Sequence, residues 1–142
     1  MAVFEAKQTA NAQLVAYAQE KVASVRRLHR TSLPIPYAKG VYPPKPLIPI
    51  LSGLLTFESD WTPGLGPSFQ QALGKDTGEG RLDIGCVAAH GNFFFDTGNN
   101  AHQMAVEGKP ATAFLFKVIA QLQFSGTVPM IDVDAYAKWL VK

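Results

Sequence analysis

"LIPILSGLLTFESDW", residues 47–61, is the stretch on which the reading of the whole chain turns. Apolar side chains occupy most positions from Leu47 to Phe57, as they would in a helix buried on all sides. Pro46, just before the run, suits a helix start, because a residue in the first turn needs no N–H donor. Pro49 then falls in the first turn, and Gly53 weakens the helix only modestly. The expectation is a buried helix over Leu47 to Glu58 that ends in a carboxylate. Flanked by Leu54, Leu55, Phe57 and Trp61, that carboxylate is desolvated, which favours its neutral form. The negative end of the helix dipole pushes the same way. Glu58 is then either a proton donor near neutral pH or a helix-end acid of no consequence.

Towards the N-terminus, Ala2 to Arg30 read as one long helix. Val15, Ala18, Val22, Val25 and His29 recur at alternating spacings of three and four and give one apolar stripe. Arg26, Arg27 and Arg30 gather at its end, where cations suit the dipole. "TSLPIPYAKGVYPPKP", residues 31–46, carries five prolines and reads as an extended surface connection.

Beyond the central stretch, Asp60 to Gly80 read as loop with one short helix around Ser68 to Leu73. "RLDIGCVAAHGNFFFD", residues 81–96, reads as a hairpin with Gly91-Asn92 as its turn. "GNNAHQMAVEG", residues 98–108, reads as a short helix ended by Gly108. Pro110 opens a helix over Ala111 to Phe124 that is apolar nearly all round and therefore expected to be central. "IDVDAYAKWLVK", residues 131–142, reads as a closing amphipathic helix with two acids in its first turn.

The 142 residues suit one domain with a real core. Apolar residues at 47% and charged residues at 17% mark a compact globular chain. A net charge of +2 is too weak to argue for nucleic acid. The single Cys86 excludes an intrachain disulfide framework and reads as a small buried hydrophobe. Cys86, His90 and His102 lack ligand spacing, so neither a metal nor another cofactor is expected. No cationic segment precedes an apolar run at the N-terminus, as an ordinary secretory signal would require, and no apolar stretch is long enough to span a bilayer.

Residues 37–63, "YAKGVYPPKPLIPILSGLLTFESDWTP", resemble the opening of the lytic transglycosylase and lysozyme-like superfamily. There an apolar helix ends in E-S-x-[FYW]-x-P, here Glu58, Ser59, Asp60, Trp61, Thr62 and Pro63. Arg81 to Gly98 is similar to that family's β element, with Asp83, Ile84 and Gly85 at its start and Phe93 to Phe95 as its aromatics. Ala88 and His90 stand where the family has the Gln and Asn that line its cleft.

The resemblance implies an α+β, mostly helical, lysozyme-like fold with a small β-hairpin element. An extra N-terminal helix would cover residues 1–31 and the lysozyme-like domain residues 32–142. It implies a peptidoglycan-cleaving glycosidase acting on the bond between N-acetylmuramic acid and N-acetylglucosamine. Glu58 would be general acid/base, and Asp83 either a second carboxylate or a turn residue. Ser59, Trp61, His90 and Phe93 would bind sugar. The expected partners are glycan strands and, through the first helix, a phage particle or secretion apparatus that delivers the protein to the cell wall; nucleic acid is not among them. A degenerate lysozyme-like binding or assembly subunit is the alternative. A Cys86-dependent hydrolase is a more remote one.

Overall fold

A computed structural model of the chain describes residues 1–30, 34–43, 47–106 and 108–125. In order they form β1 (Ala2–Ala10), α1 (Ala12–Arg26), β2 (Ile35–Tyr37), β3 (Gly40–Tyr42), β4 (Leu51–Ser59), α2 (Pro67–Leu73), β5 (Ile84–Val87), β6 (Gly91–Asp96), β7 (Ala101–Ala105) and α3 (Pro110–Phe124). Five strands make one mixed sheet in the order β1-β4-β5-β6-β7, and β2 and β3 form a separate two-stranded hairpin. β1, β4 and β5 run parallel, β6 pairs antiparallel with β5, and β7 pairs antiparallel with β6. The mostly helical, lysozyme-like expectation therefore gives way to an α+β fold built on a five-stranded sheet.

The central stretch is a strand: Ser52, Leu54 and Thr56 are buried on the face toward α1, while on the other face Leu55 is half-buried and Phe57 exposed. Val3 of β1, Leu54 of β4, Val87 of β5 and Phe93 of β6 pack against Val15, Ala18 and Val22 of α1 and Phe69, Ala72 and Leu73 of α2. On the opposite face α3 lies over β5 and β6, and Phe114 meets Phe4 edge-on at 5.7 Å between ring centroids. A short run that is apolar at successive positions is a pattern that periodicity alone does not separate from a buried helix. Gly53 marks the difference. Its register partner on β1 is Phe4, and a Cβ at Gly53 would run into the Phe4 ring and the Ile84 carbonyl oxygen. Gly85 opposite Phe93 repeats the arrangement on the other face.

The expected helix over Ala2 to Arg30 divides at Asn11. Its side-chain oxygen accepts from the Leu14 N–H at 2.9 Å, and its backbone is extended, so it caps α1. Everything before it is strand β1. The apolar stripe is sound only after the cap, where Val15, Ala18 and Val22 are buried. His29 lies beyond the helix and is exposed.

The hairpin expected over residues 81–96 is β5–β6, with its turn at Ala88 to His90 and Gly91 already paired with Val87. The short helix near Ser68 is α2, and the helix after Pro110 is α3. α3 lies on one face rather than at the centre: Leu115, Leu122 and Phe124 are exposed, and Ala113 is its one buried residue. Residues 98–108 hold strand β7 where a helix was expected, after a turn in which Asn100 takes a positive φ of 50°. The proline-rich connection carries the β2–β3 hairpin. The expected helix over residues 131–142 lies outside the described residues. No helix among the described residues is long and apolar enough to cross a membrane.

Candidate functional site

Among the described residues β1 is an edge strand of the sheet, and its residues alternate between the two faces. Glu5 and Lys7 therefore emerge together on the α1 side. The Lys7 Nζ donates to Glu5 Oε1 at 2.9 Å, with the two side chains 37% and 25% exposed. α1 starts just beyond the end of β1 and packs beside it, which brings Tyr17 to Lys7 at 5.4 Å from Nζ to ring centroid. Lys21, one turn further along α1, approaches the same ring at 5.1 Å. The hydrogen bond it donates to Glu5, and then the Glu5 charge, hold the Lys7 ammonium above the ordinary lysine value, so it remains a cation at neutral pH.

The neighbouring strand continues this face. Lys7 is in register with Thr56 and Thr9 with Glu58. The Thr56 hydroxyl is buried and has no hydrogen-bond partner among the described residues. A polar atom left in that state costs about 1–3 kcal/mol unless a water or bound group satisfies it.

The residues expected from sequence are placed as follows. Glu58 sits at the C-terminal end of β4 with its side chain 45% exposed, in hydrogen-bond contact with His90 Nε2. The Ser59 N–H donates to it at 3.1 Å. That bond first, and the His90 contact second, pull its carboxyl below the ordinary value of 4.5, the opposite direction from the one a desolvated helix end would produce. Ser59 Oγ donates to the Gly64 carbonyl at 2.8 Å and accepts from the Trp61 N–H at 3.3 Å. Trp61 leans edge-on against Phe69 at 5.3 Å. Phe93 is fully buried in the core.

Asp83 stands at the other end of β4. It accepts from Arg26 Nη2 at 2.7 Å, Arg81 Nε at 3.0 Å, the Ser52 N–H at 2.9 Å and Ser52 Oγ at 3.0 Å. Six strand positions separate Ser52 from Glu58, roughly 20 Å at the rise of a β-strand. The structure thus brings Glu58, Ser59 and His90 together and leaves Asp83 far from them. The pair not anticipated from sequence is Glu5 and Lys7. Its signal was Glu-x-Lys at a spacing of two, which carries meaning only once Asn11 is recognised as a helix cap and Ala2–Ala10 as a strand.

No family model matches the chain. It is 75% identical over 141 residues to "Endodeoxyribonuclease NucC" of Pseudomonas aeruginosa, covering 99% of this chain and 58% of the relative. It is 71% identical over 139 residues to "Endodeoxyribonuclease NucC" of Escherichia coli strain MS 115-1, covering 98% of this chain and again 58% of the relative. The chain thus spans somewhat under two thirds of the curated relatives it matches. Among solved structures, the apo form of E. coli MS115-1 NucC superposes with a TM-score of 0.83 at 71% identity, covering 98% of this chain and 62% of that one. The cAAA-bound form of P. aeruginosa ATCC27853 NucC superposes with a TM-score of 0.84 at 75% identity, covering 99% of this chain and 59% of that one.

These findings overturn the lysozyme-like resemblance. Relatives of such identity and shape are named as DNA-cleaving enzymes, not as lytic transglycosylases. The peptidoglycan-cleaving reaction, the glycan partner, the degenerate lysozyme-like assembly subunit and the exclusion of nucleic acid fall with it. The E-S-x-W-x-P match is a coincidence of a strand end with a following loop, where the family motif requires a helix end. Net charge averages over the whole chain and does not register where cations such as Lys7 and Lys21 gather.

Proposed function

We propose that this chain contributes to an endodeoxyribonuclease and that Glu5 and Lys7 are its part of the DNA-cleaving centre. The observation that carries the reading is the Glu5–Lys7 ion pair on one face of β1, in a chain 75% identical to a protein named for that activity. Phosphodiester hydrolysis adds water to phosphorus and breaks one P–O bond, while negative charge grows on the phosphoryl oxygens. The Lys7 ammonium, kept charged by Glu5, is a fixed donor for that growing charge. Glu5 is placed to accept a hydrogen bond from the attacking water or to ligate a cation. The unsatisfied Thr56 hydroxyl in register with Lys7 adds a further hydrogen-bonding group to the same face.

The donor chemistry fits a hard divalent cation, which prefers carboxylate and hydroxyl oxygens. Glu5 would hold it as one ligand of several, because no group of three His, Cys, Asp or Glu that could hold a metal occurs among the described residues. Further ligands would be backbone carbonyls, hydroxyls, water or carboxylates from outside those residues. When bound, such an ion supplies Lewis-acid stabilisation of the phosphoryl oxygens.

The cAAA held by the solved P. aeruginosa and E. coli relatives extends the reading to a cyclic oligonucleotide ligand. The β2–β3 hairpin offers a surface for it. Tyr37 and Tyr42 are stacked at 4.4 Å between centroids and lie 46% and 57% exposed. Exposed aromatic rings of this kind stack bases at about 1–3 kcal/mol each.

The experiment grafts residues 1–142 in place of the matched span of the P. aeruginosa nuclease, so that the length this chain does not span is present. Plasmid cleavage is then measured with Mg²⁺ and cAAA. The graft is expected to cut DNA, and Glu5→Gln or Lys7→Met to lower the rate by about 100-fold or more. A Glu5→Gln graft that cuts as fast as the parent graft removes Glu5 from the reaction.

A further inference from the structure

Tyr17 gathers two cations, and among the described residues only one of them has an acid to answer it. The Lys7 charge is matched by Glu5 at 2.9 Å. Lys21, 5.1 Å from the same ring centroid, has no carboxylate within ion-pair distance among the described residues. The two ammonium groups share one ring and repel one another, and the ring's negative π-face offsets that repulsion only in part. The positions are built rather than incidental. Tyr17 and Lys21 are four residues apart and so share one flank of α1, while Val15, Ala18 and Val22 are buried in the core and fix which flank turns toward β1. Tyr17 remains 39% exposed, so the cation-bearing ring is open to solvent.

We infer that Tyr17 and Lys21 extend the Glu5–Lys7 centre into a phosphate-binding strip, in which Lys21 holds a backbone phosphate of duplex DNA neighbouring the one that Lys7 faces. This rests on the nuclease reading of Glu5 and Lys7. The ring acts as spacer: it sets the distance between the two cations and keeps the Lys7 ammonium turned toward Glu5. Lys21 contacts substrate and Tyr17 is a positioning residue. Successive phosphates of one strand advance by about 3.4 Å along the duplex axis, so two lysines on one ring can reach different phosphates of the same strand.

The test is binding of a short fluorescent DNA duplex to the chain itself, without divalent cation, by anisotropy over a series of salt concentrations. Removing one phosphate contact should lower the slope of log affinity against log salt by about 0.9. Lys21→Met is expected to show that decrease. Lys75→Met, an exposed lysine at the end of α2, is expected to leave the slope unchanged. Tyr17→Leu should weaken binding, and Tyr17→Phe, which keeps the ring, should restore it. An unchanged slope in Lys21→Met, an equal loss in Lys75→Met, or no duplex binding by the parent chain would each overturn the inference. The two readings fail separately. Glu5-dependent cleavage by the graft with an unaltered Lys21→Met slope removes only the phosphate strip, whereas Glu5-independent cleavage removes the nuclease assignment whatever the slope.

Discussion

Replacing Asp83 by alanine tests what holds the first layer of helix to the sheet. Its carboxylate joins Arg26 at the end of α1, Arg81 before β5 and Ser52 on β4, through four hydrogen bonds of 2.7–3.0 Å. The Asp83 and Arg26 side chains are only 18% and 15% exposed. Breaking such a pair by removing one member costs about 3–5 kcal/mol, because the remaining charge is buried without compensation. Two features move the expectation to the low end. Both groups keep some contact with water, and Arg26 also donates to the carbonyls of Glu79, Arg81 and Ile50 and to Ser52 Oγ. About 3 kcal/mol is expected, a fall in Tm of roughly 10 °C for a chain of this size. Urea unfolding of parent, Asp83→Ala, Arg26→Met and the double variant measures it. The double variant should cost less than the two single ones together, because each removes the partner the other would leave stranded. A loss below about 1 kcal/mol in Asp83→Ala, or strict additivity in the double variant, would refute the view of Asp83 as a structural hub.

Phe69→Ala empties a site that is fully buried between Trp61 and Phe93, and should lower the unfolding free energy by about 3–5 kcal/mol in the same urea assay. Gly53→Ala drives a methyl group into the Ile84 carbonyl and the Phe4 ring, neither of which can easily withdraw; a loss of about 1–3 kcal/mol by thermal melting is expected. Asn11→Ala removes the α1 cap and should cost about 1 kcal/mol, read from the same melts. Burial, reinforced by the nearby Arg81 charge, lowers the His102 pKa from 6.5, against the opposing effects of the Leu82 carbonyl and Asp83. The unfolded chain therefore takes up a proton near that value that the folded chain refuses, so stability should fall as pH drops below it. His102→Gln should flatten that fall in Tm measured from about pH 8 to about pH 5, and an unaltered profile would remove His102 as its source.

Where a boundary residue marked an element, the sequence could be read: Pro110 opens α3 in a first-turn position where expected, and the short helix expected around Ser68 is α2. Where it misled, the missing information lay in other parts of the chain. β4 looked like a buried helix because a short apolar run carries no period that separates strand from helix, and the strands that pair with it, β1 and β5, come from other parts of the chain. The one local sign was Gly53, which weighs little in a helix and much in a sheet, where Phe4 lies across it. At the N-terminus the stripe of α1 was extended backwards through its cap, and this hid Glu5 and Lys7 inside a false helix. Two charged residues separated by one alanine mean little until a strand sets them on the same face. Glu58 attracted notice because it ends an apolar run, yet its carboxyl proves to be half-exposed and stabilised in its ionised form.

Among the described residues β1 has a neighbour on one side only. Its outer row of N–H and C=O groups is therefore a docking template for a further strand. Any strand that joins there settles about 4.8 Å away, with every second side chain on the face that bears Glu5 and Lys7.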